Sequence, residues 1–169
     1  MQFLLTTTPK PMARFIRYVI GEDASHFALY FDEHDIVIHG TFPWVKIEYY
    51  QKWLKDQVIV RRLEYIGPMG HDQKREIYRQ TLNHYLGRWY DVGALAFGLM
   101  AYPFRRFKKI IKRNLWASRK AVMCVELAEA VKKLMILPDV DWPDRFDKIT
   151  PDQLGDMIAS SRHVREEGA

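Results

Sequence analysis

The sequence predicts an α+β fold in which a small antiparallel sheet or half-barrel packs against helices, one of them opened by Cys124. Three observations lead there. Residues 25–31 (SHFALYF) and 36–40 (IVIHG) alternate bulky and small side chains and flank the polar turn Asp32-Glu33-His34-Asp35, which is the pattern of a β-hairpin. Residues 71–86 and 124–135 instead repeat their apolar side chains every three to four positions, the period of a helix with one buried face. The 169 residues are 48% hydrophobic and 14% aromatic, enough for one proper core, and no repeat, low-complexity tract or linker divides them. A single domain spanning 1–169 follows.

In chain order, Phe3 to Thr7 reads as a short strand and Pro11 to Tyr18 as a short helix with proline near its start. The loop Gly21-Glu22-Asp23-Ala24 leads into the hairpin, which brings His26 and His39 together at its open end. Tyr49 to Asp56 has the look of a short helix, and the β-branched start of Val58 to Ile66 turns that segment into a strand. Gly67-Pro68-Met69-Gly70 breaks it, and a helix from His71 ends at Leu86-Gly87. An apolar stretch follows, then a basic amphipathic helix with Phe104, Phe107, Ile110, Ile111 and Leu115 opposite its cations. The Cys124 helix stops before Pro138. Thr150-Pro151-Asp152-Gln153 has the cap residue, proline and glutamine of a helix start, and Arg162 to Ala169 reads as a loose tail.

Composition excludes several functions. One cysteine permits no intrachain disulfide, and without CxxC or paired Cys/His runs there is no zinc signature. A metal site from His26, His34 and His39 would need a ligand from the far end of the hairpin, so neither metal nor cofactor is expected. No export signal precedes Pro9 and Pro11, and the apolar run from Val92 to Phe104 is too short for a bilayer span. The expected location is cytoplasmic or within a larger assembly such as a virion. The net charge of +5 is local: Arg105 to Lys120 holds eight basic and no acidic residues, leaving 26 − 8 = 18 basic against 21 acidic elsewhere. Such a patch, through Arg105, Arg106, Lys108, Lys109, Lys112 and Arg113, suits an anionic membrane surface; equally, its apolar face could pack on the core or a second subunit. Nucleic acid is not expected, because the cations are confined to one helix without a recognised motif.

The chemistry centres on Cys124. After it, Leu127, Ala128, Val131, Leu134 and Met135 fall on one helical face, while Glu126, Glu129, Lys132 and Lys133 fall on the other. A thiol in a first turn meets unpaired N–H groups and the positive end of the helix dipole, which favours the thiolate. A lone cysteine also serves elsewhere as a small buried hydrophobe. His34, His71, His84 and His163 sit in a turn, a helix start, a helix and the tail, positions expected to face solvent.

Ser25-His26-Phe27-Ala28-Leu29-Tyr30 and Val37-Ile38-His39-Gly40, with 39 − 26 = 13 residues between the two histidines, are similar to the paired strands of a known superfamily. Gly87-Arg88-Trp89-Tyr90-Asp91-Val92-Gly93 and Cys124-Val125-Glu126-Leu127 resemble its G-x-x-Y and C-S-x-L motifs, and Phe15-Ile16-Arg17 and Ile149-Thr150-Pro151-Asp152 look like further pieces. The family is that of the NlpC-type papain-like cysteine peptidases and amidases. Because His26 precedes Cys124, the likeness is to the circularly permuted branch that includes YiiX-like and lecithin:retinol acyltransferase-like proteins. It spans about residues 14 to 155.

The resemblance implies a circularly permuted papain-like fold and a triad of Cys124 as nucleophile, His26 as base and His39 as its orienting partner. Tyr90 would assist the Cys124 N–H in holding the oxyanion; without the family, it reads equally as a core aromatic and His39 as a cross-strand polar residue. The implied activity is hydrolysis of amide bonds in peptides or peptidoglycan stems through a thioester. Acyl-lipid hydrolysis or acyl transfer at a membrane and an inactive binding module on the same fold are the alternatives. Val125 in place of a small serine, the Gly93-Ala94 pair and the long insertion at about 97–120 are the departures from the pattern.

Overall fold

The computed structural model describes residues 1–91, 121–122, 124–134, 136–144, 146 and 149–167. The expected basic insertion at about 97–120 therefore lies outside the described residues. A six-stranded sheet, antiparallel throughout, carries the fold, with strand order β4-β3-β2-β1-β5-β8. Its strands are β1 (Gln2–Thr7), β2 (His26–Phe31), β3 (Ile36–Gly40), β4 (Val45–Tyr49), β5 (Val58–Tyr65) and β8 (Val164–Glu167). The α+β class expected from the sequence is what forms.

Period-two alternation sorts the side chains onto two faces. Phe3, Leu5, Phe27, Leu29, Ile36, Ile38 and Leu63 face one way and make the larger core. Helices cover it: α3 (His71–Tyr85) through Ile77 and Tyr85, α4 (Ala128–Lys133) through Val131, and α5 (Pro151–Ala159) through Leu154 and Ile158. Leu4, Ala28 and Val37 face the other way, where α2 (Tyr50–Trp53) covers them with Tyr50 and Trp53. Helix α1 (Pro11–Ile20) connects β1 to β2.

Local signals set the helix ends as expected. Thr150 caps α5, its hydroxyl accepting from the Gln153 N–H at 3.3 Å while Gln153 Oε1 accepts from the Thr150 N–H at 3.1 Å. Gly87, with φ +74°, turns the chain out of α3 in a left-handed conformation that side-chain-bearing residues resist.

Two parts of the sheet depart from the sequence expectation. Residues 164–167 are an edge strand rather than a loose tail, pairing with β5 from Arg62↔Glu167 to Tyr65↔Val164. Charges hold this strand: Arg61 Nε donates to Glu166 Oε1 at 2.6 Å, and Arg165 pairs with Glu64. A strand this short with three charged residues looks, in sequence, like solvated chain. The sequence reading also passed over β4, a five-residue strand just beyond Pro43.

The strand pairings give the sheet two distinct ends. Thr7, His26, Gly40, Val45 and Val58 lie at one, whereas Gln2, Phe31, Ile36, Tyr49 and Tyr65 lie at the other. At the first end the short strands β6 (Trp89–Tyr90) and β7 (Ala121–Val122) pair in parallel, and an isolated bridge joins Trp44 to Trp89. The chain thus leaves and re-enters the described structure at the His26 end.

Candidate active site

Cys124 opens a 3-10 turn, Cys124–Leu127, that runs directly into α4. The larger core holds the turn in place through Val125, Leu127 and Ala128, which are all buried with Cys124 itself. Its backbone lies against the end of β3, and a Cβ added at Gly40 would fall 3.3 Å from Cys124 Cα. Glycine there is what lets the strand approach the cysteine closely.

The thiol is only 4% exposed. Burial pushes it above its ordinary value, against the opposing pull of hydrogen bonds from the Phe27 N–H, the Tyr90 hydroxyl and the N–H groups of Val125 and Cys124. The expectation that the helix start would favour thiolate is therefore overturned in balance: the donors are present, but loss of solvation outweighs them. Tyr90 is positioned by β6, whose Tyr90 N–H donates to Pro43 O at 2.8 Å. Burial, followed by the neighbouring Cys124, raises the phenol well above its usual value, so it remains a donor.

Phe27 N–H belongs to the peptide that joins His26 to Phe27, so the sulfur abuts β2 where the strand begins with His26. The β2–β3 register sets Ala28 opposite His39, making His26 and His39 diagonal neighbours on one face. Their rings stand edge to face with centroids 5.5 Å apart. The structure thus brings the two expected histidines together on the sheet face of Ala28 and Trp53, and separately brings Tyr90 onto Cys124 in the core of the opposite face.

Glu48, on β4, is a residue that the sequence reading missed. His39 Nε2 lies 2.9 Å from Glu48 Oε2, and a carboxylate acceptor fixes the proton of a neutral His39 on that nitrogen. His39 Nδ1 is then a bare acceptor. It is buried without a partner, as is His26 Nε2 on the neighbouring ring. The alternation of Val45, Ile47 and Tyr49 with Lys46 and Glu48 was the signal that could have placed Glu48 on a strand beside β3.

Burial lowers both imidazoles, His26 to about 3 with a contribution from His39, and His39 to about 4 with one from Lys46. The Glu48 carboxylate opposes the fall at His39. At neutral pH both rings are uncharged, the state a base requires. Of the remaining histidines, His34, His71 and His84 are exposed as expected, while His163 is half-buried.

The fold is similar to that of metalloprotein yiiX from Escherichia coli O157:H7, known from a crystal structure, with a TM-score of 0.60 over 99% of this chain and 94% of that one. The two sequences are 11% identical, so the likeness is one of fold. No family model and no curated protein matches the sequence.

Proposed function

We propose that this protein is a thiol-dependent hydrolase of amide bonds, in peptides or peptidoglycan stems, built on a circularly permuted papain-like arrangement of the NlpC type. The observation that supports this is Cys124 at a helix entry with donors from Phe27 and Tyr90 on its sulfur, at the end of the sheet where the adjoining strand begins with His26 and where His26 and His39 pair.

In the acylation step Cys124 Sγ attacks the amide carbonyl carbon and its proton passes to His26. The Cys124 N–H and the Tyr90 hydroxyl donate to the oxyanion. Collapse of the intermediate breaks the C–N bond, and His26 returns the proton to the departing amine, leaving a thioester. Water then attacks the thioester with His26 as base, releasing the carboxylic acid and restoring the thiol. In this mechanism a turn of the His26 ring lets its Nε2–H donate to His39 Nδ1. This leaves His26 Nδ1 as the base, with Glu48 holding His39 in the required tautomer.

The related fold belongs to a protein described as a metalloprotein. Here, among the described residues, no three His, Cys, Asp or Glu side chains are placed to hold a metal ion, and no step uses one.

The closed thiol favours a second reading, an inactive binding module that keeps the site's residues without its reactivity. Mass spectrometry of the protein after exposure to muropeptides, and separately to acyl lipids, tests both. A thioester adduct on Cys124 with muropeptides supports the hydrolase, and one with lipids moves the activity to acyl-lipid substrates. A Cys124→Ser variant as active as wild type overturns thiol catalysis. Alkylation of Cys124 by iodoacetamide with an ordinary thiol pH profile, near ~8.5 and indifferent to His26→Ala, assigns the binding module.

A further inference from the structure

Of the ten large apolar side chains that the described residues expose, only Tyr49 and Ile66 lie away from the His26 end of the sheet. The other eight lie on segments that begin or end at the His26 end. Helix α1, joined at both ends to this edge through Thr7 and His26, presents Met12, Phe15 and Tyr18 to solvent. The turn between β3 and β4 presents Phe42 and Trp44, and Trp89 packs edge to face on Trp44 with ring centroids 6.0 Å apart. Phe42 is 68% exposed and Trp89 63%, so neither is occupied with the protein's own core.

Basic residues stand on the same segments: Arg14 on α1, Lys46 on β4 and Arg88 before Trp89. The chain that departs after Tyr90 and returns at Ala121 is anchored at this end by the pairing Trp89↔Ala121. Between those anchors the sequence from Arg105 to Lys120 has eight basic and no acidic residues, whereas the rest of the protein is slightly acidic. Exposed aromatic and aliphatic groups interspersed with cations match the boundary layer of an anionic bilayer, where indole rings sit at headgroup depth and cations pair with phosphates. A second copy is the poorer occupant, because a two-fold contact through this face would set the exposed cations Arg14 and Arg88 against those of its partner.

We propose that the His26 end of the sheet is a docking face for anionic lipid membranes, seating Phe42, Trp44 and Trp89 at the headgroup boundary with the Cys124 end of the sheet turned towards the bilayer. This deepens the proposed function by naming the surface on which the site works. Vesicle binding requires no turnover, so its failure and the failure of the hydrolase reading are separate outcomes.

The test is co-sedimentation with vesicles of phosphatidylglycerol and phosphatidylcholine in equal parts, beside vesicles of phosphatidylcholine alone, at low and high salt. The proposal expects binding to the anionic vesicles at least ~10-fold stronger than to the neutral ones and weaker at high salt. It expects a blue shift of tryptophan fluorescence on binding. A Phe42→Ser/Trp44→Ser/Trp89→Ser variant that keeps the wild-type thermal transition should lose at least ~10-fold in partitioning. A Tyr49→Ser/Ile66→Ser variant, altered at the opposite end, should bind as wild type. Absence of binding at low salt, or equal binding by the triple variant, overturns the proposal. So does a wild-type dimer in sedimentation that the triple variant abolishes, which would give the face to a second copy, or tighter binding to glycan strands or single-stranded oligonucleotides than to vesicles.

Discussion

Replacing His26 by glutamine should make the protein less sensitive to acid. The ring is half-buried, its Nε2 is enclosed without a partner, and burial lowers its pKa from 6.5 to about 3. In the unfolded chain the imidazole takes up a proton as pH falls through 6.5, whereas in the folded protein it does so only near 3. Within that window the unfolded state binds more protons, so folding stability declines as pH falls. At pH 4.5 the full effect is two pH units below the unfolded value, or about 2.7 kcal/mol, and partial solvent access reduces it to about 1–2.5 kcal/mol. Urea unfolding of wild type and His26→Gln at pH 7 and pH 4.5, followed by tryptophan fluorescence, measures it. With a slope of about 2 kcal/mol per molar urea, the wild-type midpoint should fall by roughly 0.5–1.25 M more than that of the variant. His39 is present in both proteins, so its titration largely cancels. Equal falls in the two midpoints would refute the premise that His26 is held neutral by burial.

Glu48→Ala should lower the rate of acyl-enzyme formation by at least about tenfold, and Glu48→Gln, whose carbonyl still accepts from His39 Nε2, should recover much of it; equal rates for the two variants would count against orientation of His39. His39→Leu should raise the urea midpoint at neutral pH while abolishing thioester formation, since it replaces a buried polar ring beside Trp53 by an apolar side chain. Gly155→Ala should destabilise the fold by about 1–3 kcal/mol despite better helix propensity, because the added Cβ would lie 2.5 Å from Leu5 Cδ2 in the core; calorimetry would detect the lower transition. Ending the chain at Arg162 should lower the thermal transition and promote aggregation, read by light scattering, because it removes β8 and bares the edge of β5.

The hairpin was legible because Phe27, Leu29, Ile36 and Ile38 are apolar at alternate positions and face a real core, so the pattern and its physical cause coincide. The α5 boundary was legible for a similarly local reason, the reciprocal hydrogen bonds of Thr150 and Gln153. β8 was not, because what fixes it is the pairing of Arg61 and Arg165 with acids distant in sequence. At the candidate site, Cys124, His26 and His39 could be named from short motifs, and the hairpin register accounts for the meeting of the two histidines. The Glu48 contact depended on recognising β4. The balance at Cys124 depended on burial, which helix-dipole reasoning about a first turn leaves out.

The site's polarity has a cost that folding alone does not require. His39 is 4% exposed, one of its ring nitrogens is enclosed without a partner, and its neighbour His26 has another in the same condition. An unsatisfied buried acceptor or donor costs about 1–3 kcal/mol, a substantial fraction of a domain's net stability. An aliphatic side chain at position 39 would sit against Trp53, beside Ala28, without that cost. The same holds for Cys124, whose sulfur sits among several hydrogen-bond donors, more than a packing thiol needs. Polar groups that weaken the fold gather with Cys124 at one end of one sheet, and the need to move a proton there is the physical ground on which we rank the proposed hydrolase above the binding module.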